Sequence, residues 1–376
     1  MEVYLRMSQT EILPFVEKFY PLKIFVKSFI WSYCKISRLR SFFKSTDVNR
    51  IIVISLHKIG DSIFTIHAIK KIVEYHNDKS ISLICFPEAK PIFQMSFPSI
   101  DILTIPHNYF WKNRIANHSA KKILNEVGAE IIYDLTGTIA SATLIASSYS
   151  KKIIGMNLEY FKPLYDNYSP LRKTPHLIDM YMDVVKMVIP VEGDFSFEFT
   201  HVPGETQKIL IHPHAGWQAK EWGIKKYYEL AQRLSSQYEV EFITEVDSLH
   251  ADIKKEIQEN FKLTETSTIE SLIENIKDCS VLIGNDSGPI YIANFLGKST
   301  FTIYGPTNPE YSKPFGKHHA EIHQGISCSP INTQYCFTDA GRKCPDYVCM
   351  NSLSTDKVYN TLVDFLIKEK VPKRIL

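Results

Sequence analysis

Hydrophobic residues in this chain gather into short apolar runs that empty into polar, glycine-bearing turns, and a segment of helical period follows each turn. Three examples stand out: Ile51 to Leu56 before Gly60 and Asp61, Ile209 to Ile211 before Gly216 and Lys220, and Val281 to Ile283 before Asn285 to Pro289. Apolar runs of that length with helices between them predict buried strands of parallel sheets, and their polar residues fall at the carboxyl ends of the strands, where such folds bind ligands. In the third unit Ser287 suits an N-cap, Pro289 the first helical turn, and Ile290 to Leu296 the helix. The free N–H groups at that helix start suit a phosphate or diphosphate.

The same alternation continues between these landmarks. Further strands are expected in Ser80–Phe86, Asp101–Pro106, Ala129–Gly137 and Lys151–Met156, then a helix over Leu177–Val188. The stretch 191–207 is rich in turn formers and reads as a linker. A second α/β series follows, with strands at Ile209–Ile211, Val240–Thr244, Val281–Ile283 and Thr300–Ile303, and a last helix over Thr355–Lys368. The expected division is therefore 1–48 as an extension, 49–190 as the first Rossmann-like domain, 191–207 as the linker, 208–353 as the second, and 354–376 as a C-terminal helix. No internal repeat or low-complexity segment interrupts it.

The opening segment has a different character. Lys18 to Lys44 carries seven Lys or Arg and no acid, interleaved with aromatics. Wound as a helix, Leu22, Phe25, Val26, Phe29, Ile30 and Tyr33 share an apolar face, with Lys23, Lys27 and Lys35 on another. Such a helix suits an anionic membrane surface, and the alternative is packing on the first domain. The lysines keep it from spanning a bilayer, and neither the position nor the residues suit a cleaved secretory signal.

Composition narrows the class. A chain of 376 residues with 44% hydrophobic content has room for two ordinary cores. Its net charge of +2 gives no general attraction to nucleic acid, and no basic aromatic nucleic-acid motif appears. Of seven cysteines, Cys328, Cys336, Cys344 and Cys349 crowd into 22 residues without the close Cys-x-x-Cys pairs of a zinc ribbon. Three states stay open for them: reduced thiols, a structural zinc or iron, and disulfides.

Four segments in fixed order, HKIGD (57–61), HPHAGWQAKEW (212–222), GNDSGP (284–289) and IYGPTNPEYSKPFG (303–316), closely resemble the motif series of glycosyltransferase family 9, the lipopolysaccharide heptosyltransferases. The resemblance runs over roughly residues 50 to 370. It implies the α/β GT-B fold, two Rossmann-like domains facing a cleft, here behind a basic amphipathic helical extension, with the last helix packed back on the first domain. It further implies inverting, metal-independent transfer of a heptose from ADP-heptose to a lipopolysaccharide core or related lipid-linked saccharide, at the cytoplasmic face of the inner membrane. Within that frame Asp61 matches the catalytic base, with N-capping of its helix as the other reading. Lys220, Ser287 and Gly288 would bind the leaving diphosphate, Asp286 would accept from sugar hydroxyls, and His214 and Gly216 would line the donor turn, with His212 beside them. His57, Lys58 and Gly60 would meet an anionic acceptor, although a histidine in such a turn also serves structure.

The pattern is broken in two places near the donor. His214 stands where the family has a small residue, and Tyr291 replaces a common histidine. The ribose-binding acid has two candidates, Glu245 and Asp247. These departures leave open a transferase for another nucleotide sugar or a protein acceptor, and a binding module without turnover.

Overall fold

The computed structural model describes residues 20–41, 49–112, 114–172, 176–191, 199–203 and 207–374; in the first helix, side chains are described from Val26 to Leu39. The chain divides into two compact units, Met1–Asp194 and Phe195–Leu376.

In the first unit, helix α1 (Tyr20–Ser41) precedes β1 (Arg50–Ser55), α2 (Ile59–Tyr75), β2 (Ser80–Cys85), α3 (Lys90–Ser96) and β3 (Asp101–Thr104). A small antiparallel pair, β4 (Phe110–Trp111) and β5 (Ile115–Ala116), leads to α4 (His118–Val127), β6 (Ile131–Asp134), α5 (Ile139–Ile145), β7 (Lys152–Asn157), β8 (Asn167–Pro170) and α6 (Leu177–Lys186). The six long-range strands form one sheet in the order β3-β2-β1-β6-β7-β8, and every pairing is parallel. Ile51 to Ile54 of the central β1 are fully buried, as expected of a strand covered by helices on both faces.

The second unit repeats the plan. Its elements are β9 (Lys208–His212), α7 (Ile224–Leu234), β10 (Glu239–Glu245), α8 (Ala251–Asn260), β11 (Lys262–Thr266), α9 (Ile269–Lys277), β12 (Val281–Asn285), α10 (Gly288–Phe295), β13 (Ser299–Tyr304), α11 (Pro309–Ser312), β14 (His319–His323), α12 (Val348–Asn351) and α13 (Thr355–Lys368). The sheet order β11-β10-β9-β12-β13-β14 is again all parallel and reverses direction beside the first strand, which is the Rossmann arrangement. Gly284 on β12 is required by close approach, since a Cβ there would meet the His212 carbonyl of β9 at 2.9 Å.

Besides the short pair β4 and β5, three strands of the two large sheets escaped the sequence pattern: β8, β11 and β14. Each is an edge strand with one paired side and few fully buried residues, so its sequence (NYSP, KLTET, HAEIH) has no apolar run to mark it. Residues 199–203 of the expected linker belong to the second unit. Phe199 packs its ring edge-on to Phe295 at 5.4 Å, and the Val202 N–H donates to the Gly297 carbonyl at 2.9 Å. Parts of that linker, residues 192–198 and 204–206, lie outside the described residues.

Val358, Leu362, Phe365 and Leu366 of α13 are buried in one core with Ile209, Phe301 and Met350 of the second unit.

The basic extension packs on the first unit by a face that shares only part of the expected apolar stripe: Ile30 sits against that unit's core beside Cys34. Cys34, Ser37 and Arg38 are the buried positions, and α1 lies against the turn Glu159–Leu164. Arg38 fixes that choice: its guanidinium donates to the carbonyls of Ser150 at 2.8 Å and Lys151 at 3.0 Å and to Asp166 at 2.7 Å. Phe29 and Tyr33, expected on the apolar face with Ile30, stand 65% and 47% exposed, joined by Ile36 at 52%. The Leu22 and Phe25 side chains lie outside the described set. Among the described residues no helix is long and apolar enough to cross a membrane.

Candidate donor and acceptor loops

The polar loops of each unit gather at the carboxyl ends of its strands. In the second unit they are stitched together by Asn285, the last residue of β12, which is fully buried. Its Nδ2 donates to the Pro213 carbonyl at 2.7 Å, and its Oδ1 accepts from the Trp222 N–H and the Tyr227 hydroxyl, both at 3.0 Å. Sequence reading passed over this residue because an Asn in a turn is usually local punctuation.

Asn285 thereby holds the loop of Lys220 beside the loop of Asp286. Lys220 Nζ donates to Asp286 Oδ2 at 2.5 Å and to the Asp286 carbonyl at 3.2 Å, leaving one of its three hydrogens without an acceptor among the described residues. Asp286 also accepts from the Tyr291 hydroxyl and from Thr307 Oγ1, the latter at 2.7 Å. Burial alone would raise the Asp286 pKa, but the charge and hydrogen bond of Lys220, with Tyr291 and Thr307, hold it below the ordinary carboxylate value. Three of the acceptor sites of the Asp286 carboxylate are taken by protein donors, and the pair with Lys220 aims that lysine.

Ser287 caps α10 without a side-chain hydrogen bond to the helix, and its buried Oγ has no partner among the described residues. A buried hydroxyl left open at a helix start, next to a lysine with a spare N–H, is a preformed donor set for an anion. Gly288 is the first residue of that helix.

The turn after β9 supplies the remaining expected donor residues. His214 lies with Nε2 3.3 Å from Ser248 Oγ and Nδ1 3.7 Å from Glu221, while Gly216 is exposed and a Cβ there would meet nothing within 4 Å. His212 is buried; burial first and His214 second push its pKa down to about 4, so the ring is neutral. Glu245 and Asp247 are both exposed, and Asp247 has a left-handed backbone with φ 60°.

One cation of this loop cluster was missed from sequence. Lys220 Nζ lies 4.2 Å from the centre of the Trp217 ring, and the Arg342 guanidinium lies 4.8 Å from the same ring. Both terminal nitrogens of Arg342 are buried and have no hydrogen-bond partner among the described residues. Nothing local marks Arg342, since it sits in a loop more than a hundred residues from Trp217.

In the first unit, Gly60 and Asp61 lie inside the first turn of α2 rather than before it. Lys58 occupies the N-cap position, so Asp61 is not the cap of its helix, and it is half-buried. His57 is turned inward: its Nε2 lies 2.9 Å from the Leu135 carbonyl and its ring meets Tyr181 edge-on at 5.5 Å. It is 8% exposed, which makes it a support for the loop rather than a contact for an acceptor. Glu88 follows β2 at the same sheet edge and pairs with His107 at 2.8 Å. Burial opposes its ionisation, and His107 with Lys58 more than offsets this, lowering its pKa. Asp134, at the end of β6, is fully buried, accepts from Tyr165 and Thr136, and is raised to about 6 by desolvation.

Two clusters have metal-ligand residue types. All seven cysteines are free thiols. Burial, with the neighbouring charges of Cys336, Cys328 and Cys344, raises Cys349 to about 11, so the four are neighbours. Yet the one trio of potential ligand atoms within 4.8 Å of one another, among the described residues, is His201, His318 and Glu369. Among the described residues, no three of the cysteine sulfurs lie that close together. The histidine trio is a stack: the rings are 3.6 Å apart and 4° from parallel, with His318 hydrogen-bonded to Glu369 at 2.8 Å. Glu369 also accepts from Ser299, the first residue of β13, so this cluster sits at the amino end of the strands, away from the loops above.

Two Rossmann-like units whose carboxyl-end loops carry an ordered Lys–Asp–Ser anion cradle and a helix-borne carboxylate define a glycosyltransferase of the GT-B class. The sequence profile described as "Glycosyltransferase family 9 (heptosyltransferase)" matches residues 117–339, more than half of the chain. The chain belongs to that family. Lipooligosaccharide heptosyltransferase 2 of Campylobacter jejuni is 23% identical over 321 residues, covering 80% of this chain and 93% of that protein. Lipopolysaccharide heptosyltransferase 1 of Pseudomonas aeruginosa is 20% identical over 272 residues, covering 66% and 76%. In fold, the family 9 glycosyltransferase of Veillonella parvula superposes with a TM-score of 0.68 at 20% identity, over 86% of this chain and 99% of that one. The E. coli ADP-heptose LPS heptosyltransferase II gives 0.63 at 16% identity, over 85% and 99%.

Proposed function

We propose that this chain transfers a heptose, with inversion, from ADP-heptose to a lipopolysaccharide core or related saccharide. The observation that carries the reading is the cradle of the second unit: a lysine aimed by a buried carboxylate, beside an unpartnered serine hydroxyl at a helix start. A cation and two donors held in advance suit a leaving diphosphate, because stabilising its developing charge then costs no reorganisation during reaction. Lys220, Ser287 and Gly288 take the diphosphate, and His214 and Gly216 line the donor turn. Asp61 takes the proton of the attacking hydroxyl as the sugar's anomeric carbon parts from the diphosphate, while Lys58 and Gly60 belong to the acceptor loop. His57 and Asp286 are positioning residues. Because lysine and helix N–H groups supply the countercharge, the transfer step needs no metal, and turnover in excess chelator tests this.

The exposed Phe29, Tyr33 and Ile36 on α1, with lysines on the same helix, support peripheral attachment to an anionic membrane and action at the inner face of the inner membrane, where a lipid-linked acceptor would be met. The Tyr291 hydroxyl on Asp286 stands in the cradle itself and favours a second reading, a donor sugar other than heptose.

The deciding measurement is transfer from a panel of ADP, UDP and GDP sugars to core saccharide by wild type and Asp61→Asn. ADP-heptose turnover that falls by about a hundredfold or more in the variant, with ADP affinity kept, is expected. Near-normal transfer by Asp61→Asn ends the assignment of the base, and turnover confined to another donor ends that of the sugar.

A further inference from the structure

Among the described residues, the two terminal guanidinium nitrogens of Arg342 are buried without a hydrogen-bond partner. A cation withdrawn from water is costly unless an anion or hydrogen-bond acceptors meet it. Stacking on Trp217 compensates in part, because the indole face attracts a cation, but it satisfies no N–H. Burying both terminal nitrogens without acceptors therefore points to a ligand that brings acceptors with it.

The loop holding Arg342 is built for that placement. Asp339, Ala340 and Gly341 are left-handed in succession, with φ of 56°, 54° and 83°, and two of the three are not glycine. Such backbone persists only where surrounding contacts enforce it. Here they do: the Trp217 indole N–H donates to the Ala340 carbonyl at 3.0 Å, Ala340 is fully buried, and a Cβ on Gly341 would come within 2.7 Å of Ala219. Trp217 and Ala219 precede Lys220 in the other loop, so one indole lies against both cations. Each lies within 5 Å of its centre, which puts them under 10 Å apart; Asp286 is paired with Lys220, and Asp339 lies 3.8 Å from Lys343.

We propose that Arg342 and Lys220 form a two-cation clamp, organised by Trp217, for an anion carrying two linked phosphates. Resting on the transferase reading, this makes Arg342 a binding residue for the diphosphate of the nucleotide sugar and selects nucleoside diphosphates over monophosphates. A guanidinium offers two parallel N–H groups to one phosphate, which the ammonium of Lys220 does not. The division of labour follows: Lys220 as a point charge near the Ser287 helix start, Arg342 as a fork for the other phosphoryl oxygens.

The test is calorimetric titration of the full chain with ADP, AMP and inorganic pyrophosphate, for wild type, Arg342→Ala and Arg342→Lys, with thermal melting of each. Loss of a charge-assisted pair should weaken ADP and pyrophosphate by about 10- to 100-fold in Arg342→Ala. AMP should change by far less, and Arg342→Lys should recover part of the loss. A disturbed fold would weaken ADP and AMP alike and lower the melting temperature, and that pattern overturns the clamp, as does unchanged ADP binding by Arg342→Ala. Wild type that binds pyrophosphate through Arg342 yet prefers UDP or GDP to ADP upholds the clamp while removing the ADP-heptose reading. Wild type that binds neither pyrophosphate nor any nucleoside diphosphate removes both.

Discussion

Ser287 and Lys220 stand side by side in the cradle but carry opposite stability ledgers. The Ser287 hydroxyl makes no bond to its helix, so Ser287→Ala forfeits none of the roughly 1 kcal/mol that an N-cap side chain usually contributes. Lys220 is different, because its removal strands a buried Asp286 carboxylate. Breaking such a pair costs about 3–5 kcal/mol. Ser287→Ala should therefore melt like wild type while losing transfer, and Lys220→Ala should lose both; scanning calorimetry beside a transfer assay distinguishes them, and equal melting of the two variants would contradict the ion-pair account. How much of this was legible beforehand depended on distance along the chain. Asp61, Lys220, Asp286 and Ser287 could be named because ordered local motifs carry them. Their division into contacts and supports could not, since Asp286 is tied by Lys220 and Thr307, and His57 by Leu135, through partners remote in sequence. Arg342 was invisible for the same reason: only the fold brings it to Trp217.

Element by element, legibility followed burial. Strands β1, β9 and β12 are covered on both faces and announce themselves as apolar runs; the edge strands β8, β11 and β14 need only one protected side, and their sequences read as loop. The amphipathic helix α1 was found, and its docking face was legible in part: Ile30 of the apolar stripe packs on the core, while Arg38 with its three acceptors draws the buried face toward Cys34 and Ser37. That leaves Phe29, Tyr33 and Ile36 outward. Replacing all three by serine should leave melting unchanged and reduce co-flotation with vesicles containing about a third anionic lipid by several-fold, since each buried apolar side chain is worth about 1.5–3 kcal/mol. Equal flotation of wild type and the triple variant would show that this face is not the membrane contact.

For the whole molecule, acidity should act with opposite sign on the two units. His212 in the second unit titrates near 4 when folded, below its ordinary value of 6.5, so the folded form resists the proton that the unfolded chain accepts. Its contribution is present above pH 6.5 and is lost progressively as the pH falls toward 4, by up to about 3 kcal/mol. Asp134 in the first unit is raised from 3.8 to about 6, so it favours the folded form fully below 3.8 and loses that advantage as the pH rises through 6. Denaturant titrations at pH 7 and pH 5 check this by difference: His212→Gln should flatten the acid loss of stability of the second unit, and Asp134→Asn should remove the acid gain of the first. Parallel pH profiles for wild type and His212→Gln would show that the ring is not the group responsible.

The docking of residues 199–203 has a practical outcome for anyone dividing the gene. A Cβ at Gly297 would strike the Thr200 carbonyl, and Phe199 and His201 lean on Phe295 and His318. An expression fragment that starts at the first strand, Lys208, would strip these residues from the surface they cover and leave two aromatic seats bare. The usable cut lies upstream of Phe199, several residues before the point where the sheet begins.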